Sequence, residues 1–126
     1  MARTCKQGRC EIPPERLDSC PRRYPGGMAA RIAKADVQPP DRAAIEARYA
    51  EEGLRPYAWG NGPGDRYDWH THGHTKVLYC VQGSIVFHTR DGDLALEPGD
   101  RLEVDPGTEH AATVGDDGVL CLEAAA

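Results

Sequence analysis

From Arg55 onward a turn signal interrupts the chain about every seven to ten residues, and this spacing limits the fold more than any other feature. The signals are Asn61-Gly62-Pro63-Gly64, Gln82-Gly83, Asp91-Gly92, Pro98-Gly99-Asp100, Pro106-Gly107 and Asp116-Asp117-Gly118. Between them the side chains alternate with a period of two, which is the pattern of strands rather than helices. The expected strands are 55–59, 66–72, 76–82, 84–89, 93–96, 101–104, 110–114 and 119–123. Asp91-Gly92 between alternating segments favours a type I′ hairpin. Eight short antiparallel strands must close or stack to hide their edges, so the chain predicts an all-β barrel or jelly roll. The 14 glycines and 10 prolines among 126 residues fit many turns and exclude a long helical bundle.

One helix precedes the strands, expected over 42–52. Pro39-Pro40 close the chain before it, and Asp41 is a good N-cap. Ile45 and Tyr49 share one face, while Arg42/Glu46 and Arg48/Glu52 form opposite-charge pairs one turn apart. Gly53 suits the left-handed position after the helix, with Leu54 folding back on the last turn. The helix reads as a brace on the domain beyond it.

Residues 1–36 differ from the rest. They mix Pro, Arg, Cys and Gly without a hydrophobic period, so nothing in them offsets the cost of ordering a backbone. The expected division is therefore a poorly ordered leader over 1–36 and one folded domain over 37–126, with Met28 a natural start. Residues 1–34 carry eight Lys/Arg against three Asp/Glu, so the net charge of −5 hides a basic beginning and a strongly acidic remainder. An acidic domain lacks the cations that displace phosphate counterions, which argues against a nucleic-acid partner. No apolar run reaches the ~18 residues of a membrane span.

Five cysteines stand at positions 5, 10, 20, 80 and 121, with no CxxC pair. No apolar signal-peptide core opens the chain, so a reducing cytoplasm is expected. There Cys80 and Cys121, inside apolar strand patterns, serve as small buried residues rather than a disulfide.

The chemistry lies with the histidines. His70 and His72 are two apart on an expected strand, so both leave the same face. His110 opens another strand directly after the Pro106-Gly107 turn, where it can reach back to the pair. Three imidazoles suit Fe(II), Zn, Ni, Mn or Co and leave coordination positions open. Solvated surface histidines are the alternative for an H-x-H pattern taken alone. His88 falls away from this group and reads as structural. Tyr67, Trp69 and Tyr79 interleave with the site strands as packing residues or as a stacking surface.

The stretch Gly64-x5-His70-x-His72-x3-Lys76-x6-Gly83 resembles the first cupin motif, G-x5-H-x-H-x3–4-E-x6-G, at every position except the acid. Downstream, Gly99-Asp100-x-Leu102-x-Val104-x-Pro106-Gly107-Thr108-x-His110 is similar to the second cupin motif. The resemblance covers about residues 53–123. It implies a small double-stranded β-helix barrel with both motifs lining its mouth. It also implies a divalent transition metal held by His70, His72 and His110, with Fe(II) first among the candidates. The departure is Lys76, where the family's glutamate ligand belongs.

A protonated ammonium cannot ligate a metal and repels one. Three outcomes follow: the three histidines hold the metal alone, His74 joins them, or the site is metal-free and Lys76 binds an anion. Lys76 itself has two readings. It points into the barrel, as an anchor for a substrate carboxylate or enolate or as a catalytic base. Or it snorkels to the rim to pair with Glu109 or Asp68, the reading preferred here.

The function expected is a metal-binding cupin acting on a small organic molecule, in its sharpest form a three-histidine dioxygenase, with isomerase or lyase chemistry behind it. The alternative is a non-enzymatic module that takes up a small anionic ligand through Lys76. Exposed sheet edges and the family's habits suggest a homodimer.

Overall fold

The computed structural model describes residues 29–126. In chain order the elements are β1 (Ala30–Ala33), α1 (Arg42–Glu51), β2 (Tyr57–Asn61), β3 (Arg66–His70), β4 (Lys76–Thr89), β5 (Gly92–Leu96), β6 (Arg101–Val104) and β7 (His110–Ala125). All strand pairs are antiparallel, in the order β1-β6-β4-β7-β2, with β3 also on β7 and β5 also on β4.

Two long strands organise the sheet. β4 and β7 lie side by side, and each shares its outer edge between two short partners. Residues 76–79 of β4 pair with β6 and 85–89 with β5. Residues 110–113 of β7 pair with β3 and 119–123 with β2. Sequence alternation predicted two strands in each of these places, with turns at Gln82-Gly83 and Asp116-Asp117-Gly118. Neither signal reverses the chain.

Both signals mark one corner instead. The register jumps from Gly83↔Val119 to Ile85↔Val114, so four residues of β7, 115–118, stand opposite the single Ser84 of β4. Gly83 and Gly118 have φ of 76° and 78°. A Cβ on Gly83 would lie 2.0 Å from Gly118 O, so only glycine permits this approach. Bulges of this kind bend a sheet and change which residues face inward. Before the corner Leu78 and Cys80 of β4 enter the inner core; after it Ile85 and Phe87 do. The inward set on β7 is Ala112 and Val114, then Val119 and Cys121. Residues from both halves of each long strand thus share one core, which is the folded sheet of a jelly roll.

The opposite face of β4 carries a second core. Val77, Tyr79 and Val81 pack there with Leu122, Ala124 and the buried face of α1, Ile45 and Tyr49. Asp41 Oδ1 accepts from Ala44 N at 2.9 Å, and Leu54 N returns to Tyr49 O at 3.0 Å, as the sequence predicts. Arg42 pairs with Glu46, but Arg48 and Glu52 do not pair with each other. Arg48 reaches Asp36 at 2.6 Å, and Glu52 receives both nitrogens of the Arg101 fork. Tertiary partners outcompete the local one because the bidentate fork gives two parallel charge-assisted bonds.

The boundary at residue 36 needs correction. Ala30–Ala33 forms β1 on the free edge of β6. Four residues are too few for a hydrophobic period to stand out, yet Ala30 and Ile32 pack on the inner core while backbone and charge hold the edge. Arg31 donates to both carboxylate oxygens of Asp105 at 2.9 Å, and Lys34 and the Ala35 amide hold Asp100. The remaining expectation for the leader, with Cys5, Cys10, Cys20 and Met28, lies outside the described residues. Cys80 and Cys121 are opposite each other in register, free and fully buried. Among the described residues no helix is long and apolar enough to cross a membrane.

Candidate metal centre

The sheet register brings the three motif histidines together. His70 ends β3 and is the direct cross-strand partner of His110, the first residue of β7. His72 falls just beyond β3 rather than within it, because β3 pairs only as far as His110, where β7 begins. The ring centroids are 4.3 Å apart for His70–His110, 4.8 Å for His70–His72 and 5.2 Å for His72–His110. One ring nitrogen from each lies within 4.8 Å of the other two.

Hydrogen bonds fix how the rings present themselves. His110 Nδ1 donates to Thr108 O at 2.9 Å, and His70 Nδ1 donates to Asp68 O at 2.6 Å. Each bond places the proton on Nδ1 and leaves the Nε2 lone pair free, the arrangement that metal-ligating histidines use. His72 Nε2 and His110 Nε2 are buried and have no hydrogen-bond partner among the described residues. A buried nitrogen without a partner costs stability, so two together in one cluster leave two lone pairs ready for a ligand.

Charge state agrees with that reading. Burial pushes His110 down to about 4, against the Thr108 carbonyl that favours its protonated form, and Lys76 pushes it further. His72 is lowered by burial first and by the Lys76 charge second. Both imidazoles are neutral near pH 7, as ligands must be. Two atoms each about 2.1 Å from one zinc-sized ion are at most ~4.2 Å apart, so small ring rotations bring the cluster into range. The residues fit a divalent metal.

His74 stays outside the cluster. It is exposed, with its ring centroid 5.4 Å from His72. His88 is structural, bonded to Asp93 at 2.8 Å and Thr113 at 2.9 Å. The three aromatic candidates separate. Tyr79 packs under α1, Trp69 stacks against the Arg90 guanidinium at 3.7 Å, and Tyr67 lines the cavity beside the histidines.

The preferred rim position of Lys76 does not hold. Strand parity places Lys76 on the inner face with Leu78 and Cys80, and only 6% of its surface is exposed. Its Nζ is 3.4 Å from Glu123 Oε1 and 5.5 Å from the Phe87 ring centroid. Glu109 instead pairs with Arg90 at 3.0 Å.

Glu123 is the residue that sequence reasoning missed. It occupies the inward phase of β7 after Val119 and Cys121, where an apolar side chain is the rule, and that break in alternation was its signal. Trp59 Nε1 donates to Oε1 and Tyr57 Oη donates to Oε2, both at 2.9 Å. Lys76 and Glu123 line a cavity of about 230 Å³ together with His70 and His72. Its remaining wall is largely aromatic: Tyr57, Trp59, Tyr67 and Phe87. The chamber therefore combines a ligand-ready imidazole cluster, a buried ion pair and apolar walls.

Comparison with known proteins now fits this geometry. The model of the cupin domain, Cupin_2, matches residues 61–123, half of the chain. The chain is a cupin. No curated protein matches it. Among solved structures, one of the DMSP lyases RdDddP and RnDddQII is 36% identical with a TM-score of 0.53, over 57% of this cupin and 37% of that chain. This cupin thus spans little more than a third of that relative's length. An RmlC-like cupin from Shewanella frigidimarina NCIMB 400 is 25% identical, with a TM-score of 0.51 over 57% and 65% of the two chains. Acireductone dioxygenase from Bacillus anthracis, with a cadmium ion in its active centre, is 18% identical, with a TM-score of 0.54 over 76% and 77%. At that identity the likeness concerns the fold.

Proposed function

We propose that this cupin is a metal-dependent enzyme acting on a small organic anion, with His70, His72 and His110 as the metal ligands. The observation that carries the reading is the pair of buried, unpartnered Nε2 atoms of His72 and His110 beside a cavity lined by a buried lysine. A divalent metal bound there supplies Lewis acidity toward a substrate oxygen. Fe(II) heads the candidates, with Zn, Ni, Mn and Co also suited to imidazole.

The chain's own residues supply the rest. Lys76 Nζ has Glu123 as its polar partner and retains donors for a carboxylate or enolate oxygen in the cavity. Trp59, Tyr67 and Phe87 provide apolar surface for the body of the ligand and exclude water from its reacting end. A cavity of about 230 Å³ limits the ligand to a small molecule.

Two reaction classes remain in view. The all-histidine ligand set supports dioxygenase-type chemistry, and the 36% identity to a DMSP lyase structure supports lyase chemistry. A non-enzymatic reading, uptake of a small anion through Lys76 without metal, draws on the burial of that ammonium. The free thiols of Cys80 and Cys121 fit a reducing cytoplasm.

Elemental analysis of protein purified without an affinity tag tests the proposal. The expected result is about one transition metal per chain, lost in His72→Ala, followed by turnover of small carboxylates scored with and without oxygen uptake. Metal-free protein that binds small carboxylates, and loses them in Lys76→Met, supports the binding module instead.

A further inference from the structure

Lys76 poses an electrostatic problem that the proposed metal site must solve. It stands where a cupin glutamate would ligate, and it is buried in the cavity that His70 and His72 line. An uncompensated ammonium there would repel a divalent ion strongly, because low-dielectric surroundings magnify the charge. A buried charge is also costly unless it is paired.

The compensation comes from the neighbouring strand. Glu123 lies in register with Leu78, one inward position along β4 from Lys76, and its carboxylate faces the same chamber. It is itself 7% exposed and is held from three sides. Tyr57 Oη holds one oxygen, while Trp59 Nε1 and Lys76 Nζ share the other. Such a clamp leaves the carboxylate one position and prevents it from swinging to the histidines. It also holds the Lys76 amine 3.4 Å from Glu123 Oε1, beside the Phe87 ring.

We propose that Glu123 is the positioning and charge-compensating residue of this site: clamped by Tyr57 and Trp59, it fixes Lys76 and offsets part of its charge, so that one chamber accepts a divalent metal and an anionic oxygen side by side. The inference rests on the metal reading of the histidine cluster. It differs from a fourth-ligand role, because Glu123 acts through Lys76 and its loss is repaired by removing Lys76 as well.

Zn(II) titration of full-length, tag-free, chelator-stripped protein tests it, with wild type, E123Q, K76M, K76M/E123Q and H72A compared. Supporting residues around metal sites typically contribute about 10- to 100-fold in affinity, and E123Q should weaken Zn(II) by at least the lower figure. K76M should bind Zn(II) more tightly than wild type. K76M/E123Q should return to within about threefold of wild type, the coupling that a double-mutant cycle isolates. Should E123Q fail to fold, K76M and K76M/E123Q against wild type still decide the matter, the first tighter and the second within about threefold.

Wild-type affinity in E123Q overturns the proposal, as does a double variant no tighter than E123Q, or K76M no tighter than wild type. Wild-type protein that binds Zn(II) no better than H72A overturns the metal reading together with this one.

Discussion

Two polar clusters lie on opposite faces of β4, and they are built on opposite rules. Under α1, Tyr79 donates to Asp36 at 2.6 Å and accepts from Arg101 at 2.9 Å, while Arg48 and Glu52 complete the network. Every polar group there finds its partner within the chain. Across the strand, the two buried side-chain nitrogens without partners among the described residues are His72 Nε2 and His110 Nε2. A satisfied network fixes one packing and serves stability; an unsatisfied one gives up stability to receive a ligand. The helix face is built as scaffold, and the histidine face carries the open ligand positions on which the proposed function rests.

The largest expected effect would break this division on the open side. His72→Ala should weaken divalent metal by more than about 100-fold in a chelator-competition titration, with little change in the melting temperature of the metal-free protein. A large drop in the melting temperature of the metal-free protein would place His72 in the scaffold.

Acid should sharpen the contrast next. His110 sits at about 4 when folded against 6.5 in an unfolded chain, so below pH 6.5 the unfolded chain takes up a proton that the folded chain refuses. Stability of metal-free protein should be full above pH 6.5 and decline toward pH 4, by about 3 kcal/mol in total from this group. His110→Gln should flatten that decline in denaturant melts. An unchanged slope would mean that His110 does not titrate as its burial requires.

A smaller effect is expected on the closed side. The Tyr49 hydroxyl is 2.8 Å from Val77 O and 3.0 Å from Leu122 O, bridging α1 to β4 and β7. Tyr49→Phe should cost about 1–3 kcal/mol and lower the melting temperature by several degrees, while Zn(II) affinity stays at the wild-type value. Coupled loss of metal binding would show that the two faces are not independent. Smallest is Asp41→Ala, which removes the helix cap and should cost about 1 kcal/mol by thermal melting, again without effect on metal.

Much of the scaffold was legible because its signals are local. Alternation and turn residues gave the strands, and Asp41, Ile45, Tyr49 and Gly53 gave the helix. The three histidines were legible too, by the H-x-H spacing and the post-turn position of His110, although His72 lies just past the end of β3. What escaped depends on register between distant segments. Gly83 and Gly118 read as two hairpin turns, since only their mutual contact shows that they share one corner. Lys76 read as a rim residue because its partner, Glu123, is on a strand 47 positions later. β1 was invisible because its stabilising charges, Asp100 and Asp105, come from around β6.

The central claim is that the nitrogens left free at the barrel mouth hold a metal. A crystal grown with Zn(II), and measured across the zinc absorption edge, tests it most directly. The account predicts one anomalous peak per chain at the barrel mouth, about 2.0–2.1 Å from Nε2 of each of His70, His72 and His110. A mouth without a peak at saturating Zn(II), or a peak that His110 does not reach, would contradict it.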